Sequence, residues 1–339
     1  LTTRTQGSTT PRRRWTRIAS RVGIALALLA TIVAAGPRNA FGPEIPAVRE
    51  APETRVAALD DWLARSEARF GDIRPGLEKS IVWHSAARQR TPWAVVYLHG
   101  FSASRAETAP LADRVAQQLG ANLFYTRLTG HGRSAPAAMG EASVQDWLAD
   151  TVEAVRIGQT LGERVLIIGV STGATLATWR ALQAQADATT AYAFVSPNFG
   201  PRDKRSEIIN GPWGQQIALA LEGETRGWTP ADPREAQAWT TRYPTHALFP
   251  MMALVQHVRD SDLAQFRAPV LMLYSETDKT VDPSETRAAF ARIGSAHKTL
   301  QVVDYSESQG QHVLAGDIRA PKATDPMAGS IVSWVNGLR

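Results

Sequence analysis

The chain has 339 residues, 44% of them hydrophobic and 20% charged, which is ordinary for a globular protein and long enough for one large domain with insertions. It has no cysteine, which excludes disulfides and thiolate metal sites. The net charge of +5 does not point to nucleic acid, because residues 1–43 hold seven arginines, no lysine and no acid, and the rest carries a net −2.

In chain order, the basic stretch from Arg12 to Arg17 precedes Val22 to Ala35, fourteen residues without a charge. That pattern predicts a signal sequence or membrane anchor over residues 1–43. A helix starting near Trp15 reaches further, its arginines snorkelling to water. Val33-Ala34-Ala35 offers small residues for cleavage, so released and anchored forms both stand. The positive-inside rule keeps the arginine flank in the cytoplasm and puts residue 44 onward across the membrane, so the protein is expected to be exported or anchored in the inner membrane.

Residues 44–70 read as a linker and leading helix: Pro37 to Pro52 carries four prolines, and Val56 to Phe70 is amphipathic. From residue 71, short apolar runs alternate with longer amphipathic ones, the rhythm of an α/β fold with crossover helices. Strands are expected at Ile81–His84, Trp93–Leu98, Asn122–Thr126, Arg164–Ile168 and Ala191–Val195. Helices are expected at Pro110–Leu119, Val144–Leu161 and Thr172–Leu182. The rhythm stops over residues 198–267, where Trp213, Trp228, Trp239, Tyr243, Phe249, Met251 and Met252 gather without a clear strand, which predicts a helical insertion. It resumes with strands at Pro269–Tyr274 and Thr299–Val303 and helices at Ser284–Ile293 and Met327–Gly337. The core is thus expected in two parts, 71–197 and 268–339.

Chemistry concentrates around Gly169-Val170-Ser171-Thr172-Gly173. A strand before it and a helix after it make Gly-x-Ser-x-Gly a nucleophile elbow, with a serine on a tight turn and small residues on either side. A serine hydroxyl needs a histidine to take its proton. Among seven histidines, His84 falls in an early strand, His99 and His131 sit in His-Gly turns, His246 and His257 lie in the insertion, and His297 just precedes a strand. His312 lies in a polar loop after the last strand, where the order Ser–Asp–His puts the base. Asp278 lies past the strand ending at Tyr274 and is the expected acid, with Asp304 as the alternative. Glu276 reads as a solvated loop acid and Asp282 as a helix cap before Pro283. The oxyanion hole needs two amides, expected from Thr172 and from Phe101 in the loop His99-Gly100-Phe101-Ser102. No metal-ligand spacing, Walker sequence or dinucleotide fingerprint is present, so no cofactor is expected.

Together, His99-Gly-Phe101, Leu128-Thr-Gly-His-Gly-Arg-Ser134, Asp146-Trp147-Leu-Ala-Asp150, the elbow, Asp278-Lys-Thr-Val-Asp-Pro283 and His312-Val-Leu314 resemble the α/β-hydrolase superfamily. The similarity runs from about Ile81 to Leu338 and is to the branch of monoacylglycerol lipases, carboxylesterases and serine aminopeptidases. The resemblance implies a mostly parallel eight-stranded sheet with helices on both faces, a Ser–His–Asp triad, and a lid after the sixth strand. Thr129 stands where many relatives have proline, and Ser275 where a glycine often precedes the acid loop.

The expected function is hydrolysis of a carboxylic ester with an apolar acyl group, a small-molecule substrate, by Ser171, His312 and Asp278, with membrane contact through the N-terminal segment. Peptide hydrolysis in the aminopeptidase manner and acyl transfer use the same parts. A non-catalytic binding protein on the same fold is the rival from another class. Nothing in the sequence specifies an oligomeric state.

Overall fold

The computed structural model describes residues 11–42, 53–183 and 189–338, with side chains from Trp15 onward. Part of the expected linker, 43–52, lies outside the described residues, as does Arg4. Helix α1 (Pro11–Ala34) is followed by an extended segment to Gly42, and α2 (Leu59–Glu67) comes after a short 3-10 turn. The alternating part runs β1 (Ser80–Val82), β2 (Thr91–Leu98), α3 (Leu111–Leu119), β3 (Asn122–Tyr125), α4 (Val144–Leu161), β4 (Gly162–Val170), α5 (Thr172–Gln183) and β5 (Thr190–Val195). The insertion contributes α6 (Gly214–Glu222), β6 (Thr225–Gly227), α7 (Pro233–Ala238), β7 (Arg242–Pro244) and α8 (Leu248–Asp260). The core then closes with β8 (Val270–Tyr274), α9 (Pro283–Arg292), β9 (Lys298–Val302) and α10 (Pro321–Asn336).

The main sheet has seven strands in the order β1-β3-β2-β4-β5-β8-β9, parallel except for β1 at the edge. The eight strands implied by the resemblance are one too many among the described residues, and the insertion follows the fifth strand of this sheet rather than a sixth. Strand residues alternate between two covered faces, which is why the central strands read as unbroken apolar runs. Val96, Leu98 and Ile167 pack with α4, α5 and α8, whereas Val95, Tyr97, Leu166 and Ile168 pack with α3 and α10. Leu59, Trp62 and Leu63 enter the first of these layers, so α2 packs with the sheet rather than standing apart as a linker.

Four local expectations need correction. His84 lies just past β1 rather than in it. The leading helix ends at Glu67, short of Phe70. The insertion contains a two-stranded antiparallel ribbon, β6 with β7, whose strands of three residues are too short and too polar to show an alternation. The last helix starts at Pro321 and runs through Pro326, because burial of Met327, Ile331 and Val335 outweighs the single backbone bond that the internal proline forfeits.

Consecutive strands run outward in opposite directions from β2, to β3 on one side and β4 on the other. A crevice therefore opens beyond their carboxyl ends, at the point where an open α/β sheet holds its ligands. Register aligns Leu98 with Gly169, bringing the loop after β2 beside the turn after β4.

Candidate active site

Ser171 occupies the turn between β4 and α5 with φ of 51°, a left-handed conformation that an L-residue adopts only when its surroundings impose it. Two backbone bonds do so: Ser171 N–H donates to Val195 O at 3.0 Å, and Ala174 N–H donates to Ser171 O at 3.0 Å. Gly173 is needed because a Cβ there would come within 2.0 Å of Leu98 O. The side chain is thus lifted from the end of the sheet toward the loops beyond β8 and β9.

Those loops bring His312 and Asp278 to it. His312 Nε2 lies 3.1 Å from Ser171 Oγ, and His312 Nδ1 lies 2.8 Å from Asp278 Oδ2. Asp278 is 2% exposed, and its other oxygen accepts from the amides of Thr280 at 2.7 Å and Val281 at 3.0 Å. Ser196 Oγ donates to His312 O at 2.6 Å, fixing the histidine's backbone from β5. Ser275 Oγ donates to Gln311 Oε1 at 2.9 Å, so the serine found in place of glycine links the acid loop to the histidine loop. Asp304 is exposed, Glu276 pairs with Arg287 at the surface, and Asp282 caps α9 through Ser284 N–H at 2.9 Å.

In the loop after β2, Gly100 N–H donates to Glu107 Oε1 at 2.7 Å and Ser102 N–H to His131 Nε2 at 3.1 Å. Phe101, between them, and Thr172, opening α5, have amides with no hydrogen-bond partner among the described residues. His99 and His131 brace this loop as neutral rings. Each ring accepts a backbone N–H at Nε2, His99 from Leu128 and His131 from Ser102, so its proton sits on Nδ1 and donates to Gly100 O and Thr129 O respectively. Burial pushes His99 down to about 4 and His131 well below its ordinary value. The Thr-Gly-His-Gly turn is held in turn by α4, where Asp150 Oδ2 accepts from Thr129 N–H at 2.7 Å and Trp147 Nε1–H donates to Thr129 O at 3.0 Å.

Residues 89–307, well over half of the chain, match the sequence model of the family described as serine aminopeptidase, S33. This chain belongs to the S33 family of α/β-hydrolases. No curated protein matches it in sequence comparison. Among solved structures, one reported for the metagenome-derived lipolytic enzymes LipS and LipT superposes with a TM-score of 0.61 at 21% identity, covering 78% of this chain and 99% of that one. A soluble variant of monoglyceride lipase from Saccharomyces cerevisiae gives 0.60 at 13%, covering 77% and 91%. Monoacylglycerol lipase from Paleococcus ferrophilus gives 0.57 at 16%, covering 77% and 100%. At these identities the likeness is one of fold.

In this S33 hydrolase a cavity of about 410 Å³ opens in front of Ser171 and His312. The insertion supplies much of its wall through Ile209, Trp228, Trp239, Tyr243, Leu248 and Met252. The insertion is also bonded to the loop after β2: Thr240 N–H donates to Ser102 O at 2.7 Å, and Ser104 Oγ donates to Ala238 O at 2.7 Å. Arg319 reaches in from before α10, bonded to Glu235 at 2.8 Å beneath Trp228 and Trp239.

Sequence reasoning missed Glu107 and Asn198, which also line the cavity. Thr172 Oγ1 and Asn198 Oδ1 are buried acceptors with no partner among the described residues, available to a polar group of a bound molecule. Glu107 is 3% exposed, and burial pushes its carboxyl up to about 8. Neither belongs to a local motif, and an isolated acid before a Thr-Ala-Pro run carries no signal of burial. The remaining histidines serve elsewhere: His246 Nε2 faces Gly140 O at 3.2 Å, His257 stacks on Phe41, and His297 precedes β9.

Proposed function

We propose that this S33 hydrolase cleaves carboxylic esters with an apolar acyl group, through an acyl-enzyme on Ser171. His312 Nε2 takes the hydroxyl proton as Ser171 Oγ bonds to the carbonyl carbon, and the carbonyl electrons move onto oxygen. The amides of Phe101 and Thr172 donate to that oxyanion. As the intermediate collapses, His312 gives its proton to the departing alkoxide and an alcohol leaves. Water then repeats the cycle, its proton passing to His312 and back to Ser171, releasing the acid. Asp278 keeps the histidine proton on Nδ1 and stabilises the imidazolium. The insertion acts as a lid whose aromatic and methionine side chains bury the acyl group.

The observation that carries this reading is the 3.1 Å approach of His312 to a serine held at positive φ, at the mouth of a largely apolar cavity. The family's description favours a second reading, removal of an amino-terminal residue. That chemistry needs an anion for the substrate's ammonium, and the cavity's carboxyl, Glu107, is kept protonated near neutral pH by its burial. The N-terminal helix is read as an anchor: Trp15–Ala34 is twenty residues of mean hydropathy 1.7, about 30 Å of helix and the thickness of a hydrocarbon core.

Labelling by a fluorophosphonate probe, followed by a panel of p-nitrophenyl esters, monoacylglycerols and aminoacyl anilides, tests the proposal. Labelling with ester turnover is expected. Absence of labelling, or turnover of the anilides alone, would overturn it.

A further inference from the structure

The segment after the anchor helix is short, and its Gly36, Pro37, Asn39 and Phe41 are held against the rest of the chain. Trp213 N–H donates to Pro37 O at 2.8 Å, and its indole N–H donates to Ile32 O at 3.3 Å. Gly36 passes so close that a Cβ would lie 2.1 Å from Trp213 Nε1. Asn39 Nδ2 donates to Asn210 Oδ1 at 2.7 Å and to Phe249 O at 2.8 Å, while its Oδ1 accepts from Gln215 at 2.9 Å. The Phe41 ring stacks on His257 at 3.8 Å, and Phe41 O accepts from Gln145 at 3.0 Å.

All these partners except Ile32 and Gln145 belong to the insertion. Asn210 and Phe249 are each one residue from a cavity-lining side chain, Ile209 and Leu248. The same part of the insertion leaves apolar side chains in water: Ile208 is 45% exposed, Trp213 38% and Leu221 75%. Leu221 lies two turns along α6 from Trp213, about 12 Å. A free leash would need none of these bonds, and the three exposed apolar side chains stand in the part of the insertion against which the membrane-length helix ends.

We infer that residues 36–42 form a rigid strap that lays the Ile208–Trp213–Leu221 face of the insertion on the lipid bilayer entered by α1, so that the cavity is loaded from that bilayer. The occupant is specified by continuity: α1 ends against Trp213, and its arginines, Arg17 and Arg21 among them, all lie in the half of the helix away from that contact. The surface extends the anchor reading given above and rests on it. Its consequence for substrate is that esters already partitioned into the membrane are preferred over the same esters in water.

The absence of cysteine makes the test site-specific. The full chain, carrying Leu221→Cys or Ser333→Cys, is labelled with an environment-sensitive dye and reconstituted into phosphatidylcholine–phosphatidylglycerol vesicles. Ser333 is exposed on α10, which packs on the opposite face of the sheet. Headgroup-region nitroxide lipids should quench the dye at 221 and spare the dye at 333. Adding Asn39→Ala with Phe41→Ala should release the quenching while the protein still floats with vesicles. It should also lower kcat/KM on vesicle-borne monoacylglycerol by about tenfold, through lost pre-organisation, and leave p-nitrophenyl acetate hydrolysis unchanged. Flotation with an unquenched dye at 221, or quenching that survives the double substitution, overturns the strap alone. Failure to float overturns the anchor with it, and neither result touches the ester chemistry, which the acetate assay reads separately.

Discussion

Glu107 Oε1 accepts the Gly100 amide at 2.7 Å and the Tyr97 hydroxyl at 3.1 Å, tying a buried carboxyl to the loop that carries the Phe101 amide. Burial raises this carboxyl from its ordinary 4.5 to about 8, against the lowering effects of the Gly100 bond and the Arg319 charge. Between those two values the folded state holds a proton that the unfolded chain has lost, so stability falls as pH rises through that window. Glu107→Gln keeps an acceptor for Gly100 and cannot ionise. Thermal unfolding across a pH series should find the variant equal to the native protein near pH 4 and more stable at pH 8. Ester turnover of the native protein should decline above pH 8, where a carboxylate would face the forming oxyanion, and the variant should lose that limb. An identical alkaline limb in both proteins would refute the assignment.

Ser171→Ala should abolish fluorophosphonate labelling and lower kcat by on the order of 10⁶ with the fold intact, because the elbow accepts a smaller side chain without strain beyond what Ser171 already bears. Asp278→Asn should cost about 10⁴ in kcat by spoiling the tautomer of His312. Asp304→Asn should be silent, since that side chain is exposed. Steady-state kinetics on one activated ester compares all three, and a larger loss at Asp304 would reverse the choice of acid.

The cavity predicts a chain-length profile. Each buried methylene contributes roughly 0.8 kcal/mol, about fourfold in kcat/KM, until the space is full. Deleting residues from the insertion would confound this test, because Thr240 and Ala238 are bonded to Ser102 and Ser104 in the loop after β2. Leu248→Trp, which fills the cavity from the wall, should shift the optimum to shorter acyl groups and spare acetyl esters. A flat profile in the native enzyme would remove the acyl-pocket reading.

Orientation across the membrane follows from charge. A reporter active only after export, fused after residue 52, should be active, because six of the seven arginines of residues 1–43 precede the uncharged run Val22–Ala35 and should keep that flank in the cytoplasm. Carbonate-washed membranes should retain the full chain if α1 is uncleaved. Cytoplasmic activity of the fusion would contradict the topology.

Much of this molecule was legible before any coordinates. The buried runs of β2, β4, β5 and β8 and the glycine-flanked turn at Ser171 are local patterns, and local sterics are enough to make them. Each of the seven strands of the main sheet was expected from its apolar run, even the short β1, and the eighth came only from the resemblance; the β6–β7 ribbon was not legible, since its strands are three residues each and carry no period. Which carboxyl meets His312 is a question of where two loops end after β8 and β9, and only their packing brings Asp278 Oδ2 to 2.8 Å while leaving Asp304 in water. The raised pKa of Glu107 comes from its burial, which only the folded chain creates, and it stands against the lowering effects of Gly100, Tyr97 and Arg319. The strap is the extreme case. Asn39 sits in a stretch that reads as linker, and its partners Asn210 and Phe249 are 171 and 210 residues away. Side chains whose role is set by a partner so distant leave no period, cap or spacing in the sequence, and only the folded chain assigns them.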